Sequence, residues 1–117
     1  MDATTYQQLA ARTLIDAPDF QITPEQVMLV WCAVGLAGEA GEFCELVKKG
    51  IFHQHGFDRE RAAKELGDVL WYVAALATRL DLDLSALMAA NIEKLRERYP
   101  AGYTPADSVR RVDVRGK

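Results

Sequence analysis

Two pairs of carboxylates, Glu39/Glu42 and Glu65/Asp68, share a three-residue spacing and sit among apolar neighbours. With Glu39 at zero on a helix turning about 100° per residue, Met28, Cys32, Phe43 and Leu46 all fall within about 40° of it. Glu39 therefore lies in the middle of an apolar stripe. Glu42 falls about 60° to one side and still faces inward, whereas Glu45, at about 120°, flanks the stripe. Around Glu65 the same construction collects Val69, Tyr72 and Leu76, with Asp68 offset by about 60°. An ionised carboxylate buried without a partner is strongly disfavoured, and four that converge also repel one another. The pattern calls for a cation. Helix bundles solve this problem by holding metal between helices. An all-oxygen donor set without histidine selects a hard ion, Mg²⁺ or Mn²⁺, over zinc or copper. A di-iron centre would want Glu-x-x-His, and no glutamate here has histidine three residues later. His53 and His55 fall in an interhelical loop and read as solvent-exposed.

A second cluster follows further along. Asn91 lies about 40° from the line through Leu84, Met88 and Leu95, where a buried amide needs hydrogen-bond partners. Lys94 and Arg98 extend from the same side, so one helix presents an amide, an ammonium and a guanidinium. Such a set can clamp phosphate oxygens. Pairing of Lys94 and Arg98 with Glu93, Glu97 or solvent stands beside that reading. Gly35, Gly38 and Gly41 recur every third residue, each costing roughly 1 kcal/mol relative to alanine in a helix interior, which close backbone packing would offset.

The elements that must position these residues are marked by their caps. Thr5-Tyr-Gln-Gln8 has the spacing of a capping box for a short first helix, which Pro18 stops. Thr23-Pro24-Glu25-Gln26 opens a long apolar-rich helix running to Gly50, with Lys48 and Lys49 in its last turn. Asp58 caps a third helix to about Leu80, and Asp83 a fourth ending at Tyr99 before Pro100. The loop from Ile51 to Phe57 is short, making the two long helices antiparallel neighbours. The expected architecture is all-α: a four-helix-type bundle with a short first helix, two long antiparallel helices, a fourth helix and an extended C-terminal tail. Residues 1–100 form the domain and 101–117 the tail. Val30, Val34 and Ala37 lie opposite Glu39, and Leu70 and Trp71 well away from Glu65. One small bundle cannot bury every face, so a tight homodimer or homotetramer is expected.

A chain of 117 residues is one domain, expected to bury roughly two-thirds of its unfolded surface around its own core. Half the residues are hydrophobic and 26% charged, which argues against disorder. Cys32 and Cys44 make neither a disulfide scaffold nor a zinc ribbon, and Asp2 opens a polar N-terminus rather than a signal peptide, so a cytoplasmic protein is expected. The uncharged stretch Val27 to Ala37 spans roughly 16 Å, about half a hydrocarbon core, and reads as a buried helix rather than a membrane span. The formal charge is −3. Arg110, Arg111, Arg115 and Lys117 outweigh Asp107 and Asp113 by two, leaving the preceding body at −5, which repels nucleic acid.

The segments Gly35-Leu-Ala-Gly-Glu-Ala-Gly-Glu42, Lys48-Lys49, Glu65-Leu-Gly-Asp-Val-Leu-Trp-Tyr72 and Asn91-Ile-Glu-Lys-Leu-Arg-Glu-Arg-Tyr-Pro100 together resemble a MazG-like nucleoside triphosphate pyrophosphohydrolase. The resemblance implies the all-α NTP pyrophosphatase fold and cleavage of NTPs or dNTPs to monophosphate and pyrophosphate with Mg²⁺, as dimers or tetramers. It implies a place in cleansing the nucleotide pool. By position it makes Glu39, Glu42, Glu65 and Asp68 the metal-binding acids. Asn91, Lys94 and Arg98 match sugar or phosphate contacts, and Tyr72 is placed to touch the nucleotide or, equally, to pack in the core. Glu39 or Glu42 would act as general base, and Lys94 and Arg98, with Lys48 and Lys49 as further candidates, would steady the leaving pyrophosphate. Two other readings stand beside this one: phosphoribosyl-ATP pyrophosphohydrolase, and a non-catalytic helical dimer that binds nucleotide or a partner.

Overall fold

The computed structural model describes residues 1–16 and 19–115, and among them no strand forms. Six helices follow in order: α1 (Ala3–Ala11), α2 (Pro24–Ile51), α3 (Arg59–Arg79), α4 (Leu84–Arg98), α5 (Pro105–Arg110) and α6 (Val112–Arg115). Pro18, expected to stop the first helix, and Lys117 of the basic tail lie outside the described residues.

Local hydrogen bonds set the starts. The Gln26 amide donates to Thr23 Oγ1 at 3.1 Å while the Thr23 amide donates to Gln26 Oε1 at 3.0 Å, a complete capping box, and Pro24 occupies the first turn of α2. Asp58 accepts from the Arg61 amide and Asp83 from the Ser85 amide, opening α3 and α4 where the sequence places them. The first helix differs. Its cap is Asp2, which accepts from the Thr5 amide at 2.8 Å, so Thr5 is a residue of the helix rather than its start.

α2 and α3 pack as an antiparallel pair. Arg79 reaches Glu25 at 3.3 Å across the open end, and Gly50 meets the backbone of the returning loop at the closed end, where a Cβ would lie 3.0 Å from the Gly56 carbonyl oxygen. Between them the Tyr72 ring lies so close to α2 that a Cβ on Gly35 would sit 2.3 Å from its Cε1. Of the three glycines spaced every third residue, Gly35 alone is explained by close approach. A Cβ on Gly38 or Gly41 would meet nothing within 4 Å.

Three expectations are corrected. The C-terminal segment is not extended: Thr104 caps α5, Arg111 turns the chain with φ of 51°, and α6 returns against α4. A bundle closed within one chain does not form, because α4 packs chiefly on α6 and the principal interhelical contact is α2 with α3. Nor does the chain bury two-thirds of its surface. Its accessible area is 9769 Å², against about 6,300 Å² for a compact monomer of this mass. Its radius of gyration is 20.3 Å, against about 13 Å for a compact domain of this length. The buried apolar residues are Cys32, Ala62 and Ala77. α2 is thus not a buried helix within one chain: Trp31 is 64% and Val34 66% exposed, because α3 covers only one side. By length and composition alone α2 is also long and apolar enough to cross a membrane.

Candidate metal centre

The antiparallel pairing turns the stripe of α2 toward that of α3, and the acids meet there. Carboxylate oxygens of Glu39, Glu42 and Glu65 lie within 4.8 Å of one another. Glu39 is half-buried, the Glu65 side chain is 13% exposed, and Glu42 is exposed. Asp68 is exposed and stands outside this tight group, yet its charge acts on Glu39. The four acids lie between two helices rather than in an enclosed interior pocket, and among the described residues the principal packing on these helices is that of α2 with α3.

Desolvation raises the Glu39 carboxyl above its ordinary value, and repulsion from Glu42, Asp68 and Glu65 adds to it. No cation figures among the causes. Among the described residues the cation in ion-pair range of the cluster is Arg61, whose Nε lies 3.9 Å from Glu65 Oε1. A set of oxygen donors of this kind fits a hard divalent cation, which Glu39, Glu42 and Glu65 could hold with Asp68 beside them.

The remaining candidates divide. Tyr72, one turn beyond Asp68, presses its ring on Gly35, one turn before Glu39, with Trp71 edge-on to it at 5.0 Å. Lys48 pairs with Glu45 at 3.0 Å. Asn91 and Lys94 are exposed on α4, so Asn91 is not the buried amide that its apolar line suggests. Lys94 makes no ion pair among the described residues. Arg98 does not pair with Glu93 or Glu97. It grips Asp113 with two nitrogens, Nε at 2.7 Å from Oδ1 and Nη2 on Oδ2. That grip and the nearby Arg111 hold the Asp113 carboxyl below its ordinary value. Nothing in the local pattern of α4 announces a partner 15 residues away.

The sequence pattern does not single out Arg61. Its signal is the i,i+4 spacing to Glu65, which places a guanidinium one turn from the cluster. His55, read as solvent-exposed, is exposed and lines a groove beside the acids together with Lys49 and Arg61.

Comparison with known proteins identifies the family. Residues 32–103 match the model of the MazG nucleotide pyrophosphohydrolase domain. The chain is 42% identical over 78 residues to the Gene 37 protein of Mycobacterium phage L5, covering 63% of this chain and 68% of that protein. It is 40% identical over 81 residues to dCTP pyrophosphatase 1 of Homo sapiens, covering 64% of this chain and 48% of the relative. The Bos taurus protein of the same name is 33% identical over 87 residues, covering 69% and 52%. The chain thus spans about half the length of these dCTP pyrophosphatases. Among solved structures none matches significantly. The matched segment contains all four acids, the whole of α3 and α2 from Cys32 onward, and the chain belongs to the MazG nucleotide pyrophosphohydrolase family of hydrolases.

Proposed function

We propose that this chain hydrolyses (deoxy)nucleoside triphosphates between the α- and β-phosphates, releasing monophosphate and pyrophosphate, with Mg²⁺ as the working ion and Mn²⁺ as a substitute. The observation that carries this reading is the convergence of carboxylate oxygens of Glu39, Glu42 and Glu65, with no cation among the described residues acting to neutralise Glu39. When bound, a divalent ion supplies charge neutralisation for the triphosphate and makes water more acidic. The chain's residues do the rest. In the reaction a water oxygen bonds to the α-phosphorus, the bond to the bridging oxygen breaks, and pyrophosphate leaves with that oxygen. Glu39 or Glu42 accepts the proton that water gives up.

The apolar faces left open on α2 and α3, with Val30, Trp31, Val34, Leu70 and Trp71 all more than half exposed, support a homodimer or homotetramer. The names of the relatives make dCTP the first substrate to assay. Pyrophosphate release with Mg²⁺, with monophosphate resolved from diphosphate, tests the reading. Glu65→Gln should reduce turnover by more than the 10–100-fold typical of losing an outer-shell partner, with helicity unchanged. A Glu65→Gln protein as active as the wild type would overturn it.

A further inference from the structure

The segment that joins α2 to α3 carries both histidines of the chain, and it sets them side by side. Gln54 stands between them with a left-handed φ of 56°. The ring centroids of His53 and His55 lie 5.8 Å apart, with the planes inclined by 62°. The turn beneath them is held by its backbone. The Phe52 amide donates to the Lys48 carbonyl at 2.8 Å, the His55 amide to the Lys49 carbonyl at 3.2 Å, and Gly50 packs on the Gly56 backbone. Both histidines are exposed, so neither ring is spent on filling a core. Among the described residues neither ring is engaged by a hydrogen bond or an ion pair.

A neutral imidazole is a ligand for borderline divalent ions such as Ni²⁺, Zn²⁺ and Cu²⁺, with the nitrogen about 2.0–2.1 Å from zinc. With a ring radius of about 1.1 Å, each centroid then stands about 3.2 Å from the ion, and two rings at a tetrahedral angle have centroids about 5.2 Å apart. The rings of His53 and His55 need to close by about 0.6 Å, which rotation of two exposed side chains supplies. The nearby carboxylate is Glu45, which Lys48 foremost, and then Lys49 and His53, hold below its ordinary value. It is already engaged by Lys48 at 3.0 Å and lies 3.7 Å from Lys49. Among the described residues no third acid or thiol joins the two rings closely enough to close the set, so water fills the remaining positions.

We propose that His53 and His55 form a second metal site, for a borderline divalent cation, which clips the turn between α2 and α3. Its nitrogen donors separate it from the acid cluster. Hard Mg²⁺ prefers the carboxylate oxygens and leaves the imidazoles to softer ions. The proposal does not rest on the hydrolysis described above. An ion shared by both rings binds the folded turn and not the unfolded chain, so it stabilises the hairpin by mass action. That hairpin carries the acids, and His55 lines the groove that ends at Glu42.

Calorimetric titration of the full chain with Ni²⁺, in Mg²⁺ sufficient to fill the acid cluster, tests this against His53→Gln, His55→Gln and the double variant. The wild type should take up Ni²⁺ that Mg²⁺ does not displace, and its melting temperature should rise. Each single substitution should weaken Ni²⁺ by at least about tenfold, and the double variant should lose it. Mg²⁺ binding and helicity should be unchanged in all three, since the rings are exposed. With Zn²⁺, the imidazole proton resonances of His53 and His55 should shift together. Ni²⁺ affinity indifferent to either substitution, uptake abolished by Glu65→Gln or by Mg²⁺, or a shift of one histidine alone would each overturn the site. A chain that turns over no triphosphate yet binds Ni²⁺ through both rings leaves it standing.

Discussion

Alanine at position 35 should destabilise the α2–α3 pair, while the same change three residues on should stabilise it. A Cβ on Gly35 would lie 2.3 Å from Cε1, 2.4 Å from Cζ and 2.7 Å from Oη of Tyr72. Ordinary contact begins near 3.4 Å, so the ring must retreat by about 1 Å, and overpacking of this kind typically costs about 1–3 kcal/mol. The ring is rigid, and the indole of Trp71 packs against it. Replacing glycine in a helix interior returns about 1 kcal/mol. The net expectation for Gly35→Ala is a loss of about 1 kcal/mol, several degrees in melting temperature for a domain of this size. At Gly38 a Cβ meets nothing, so only the gain of about 1 kcal/mol remains. The two variants should therefore differ by about 2 kcal/mol with opposite signs. Urea unfolding followed by far-ultraviolet circular dichroism measures both, and Gly35→Ala combined with Tyr72→Leu should recover the loss. If Gly35→Ala were as stable as Gly38→Ala, the close approach of Tyr72 to α2 would be refuted.

The Glu39 carboxyl is raised by burial and like charge, so its contribution to stability is complete below the unfolded glutamate pKa of about 4.3 and is lost as pH climbs through the folded value. Metal-free wild type should therefore lose melting temperature relative to Glu39→Gln as pH rises toward neutrality, and Mg²⁺ should raise the wild type but not the variant. The Asp113 carboxyl is lowered, so its contribution is present above about pH 3.9 and is lost as pH falls through the folded value. Asp113→Asn should release α6 at neutral pH, seen as faster amide exchange at Val112 and Val114. Val34→Asp places a charge on the open face of α2, and sedimentation should show the assembly shifting toward monomer.

What could be read from the sequence follows the range of the interactions involved. Thr23, Asp58 and Asp83 each satisfy an amide two or three residues away, so helix starts are visible in a short window. The first helix shows the limit of that window. Asp2 and Thr5 both suit a cap, and Asp2 takes the role because its carboxylate accepts from both the amide and the hydroxyl of Thr5. The acid cluster is legible because a short loop forces α2 and α3 to be neighbours and the 3.6-residue period then fixes which sides meet. Burial is not legible in the same way. Periodicity says which side of α2 or α4 is apolar, not what covers it, and within one chain Val34 and Met88 remain open.

Charged residues show why position in a pattern and role in a fold can part. Arg98 has Glu97 beside it and reads as a phosphate ligand, yet its partner is Asp113, delivered by a turn at Arg111 that no periodicity encodes. The same carboxylate chemistry then has two opposite outcomes in one chain. Asp113 sits between two arginines and is pulled below its ordinary value, a pair complete in itself that fastens α6 to α4. Glu39 sits among three other acids and is pushed above its ordinary value, an arrangement that costs folding energy for as long as nothing cationic joins it. Structure alone accounts for the first. The second is stabilised only by what binds there, and that difference makes the groove of α2 and α3, rather than the Arg98–Asp113 pair, the place to look for chemistry.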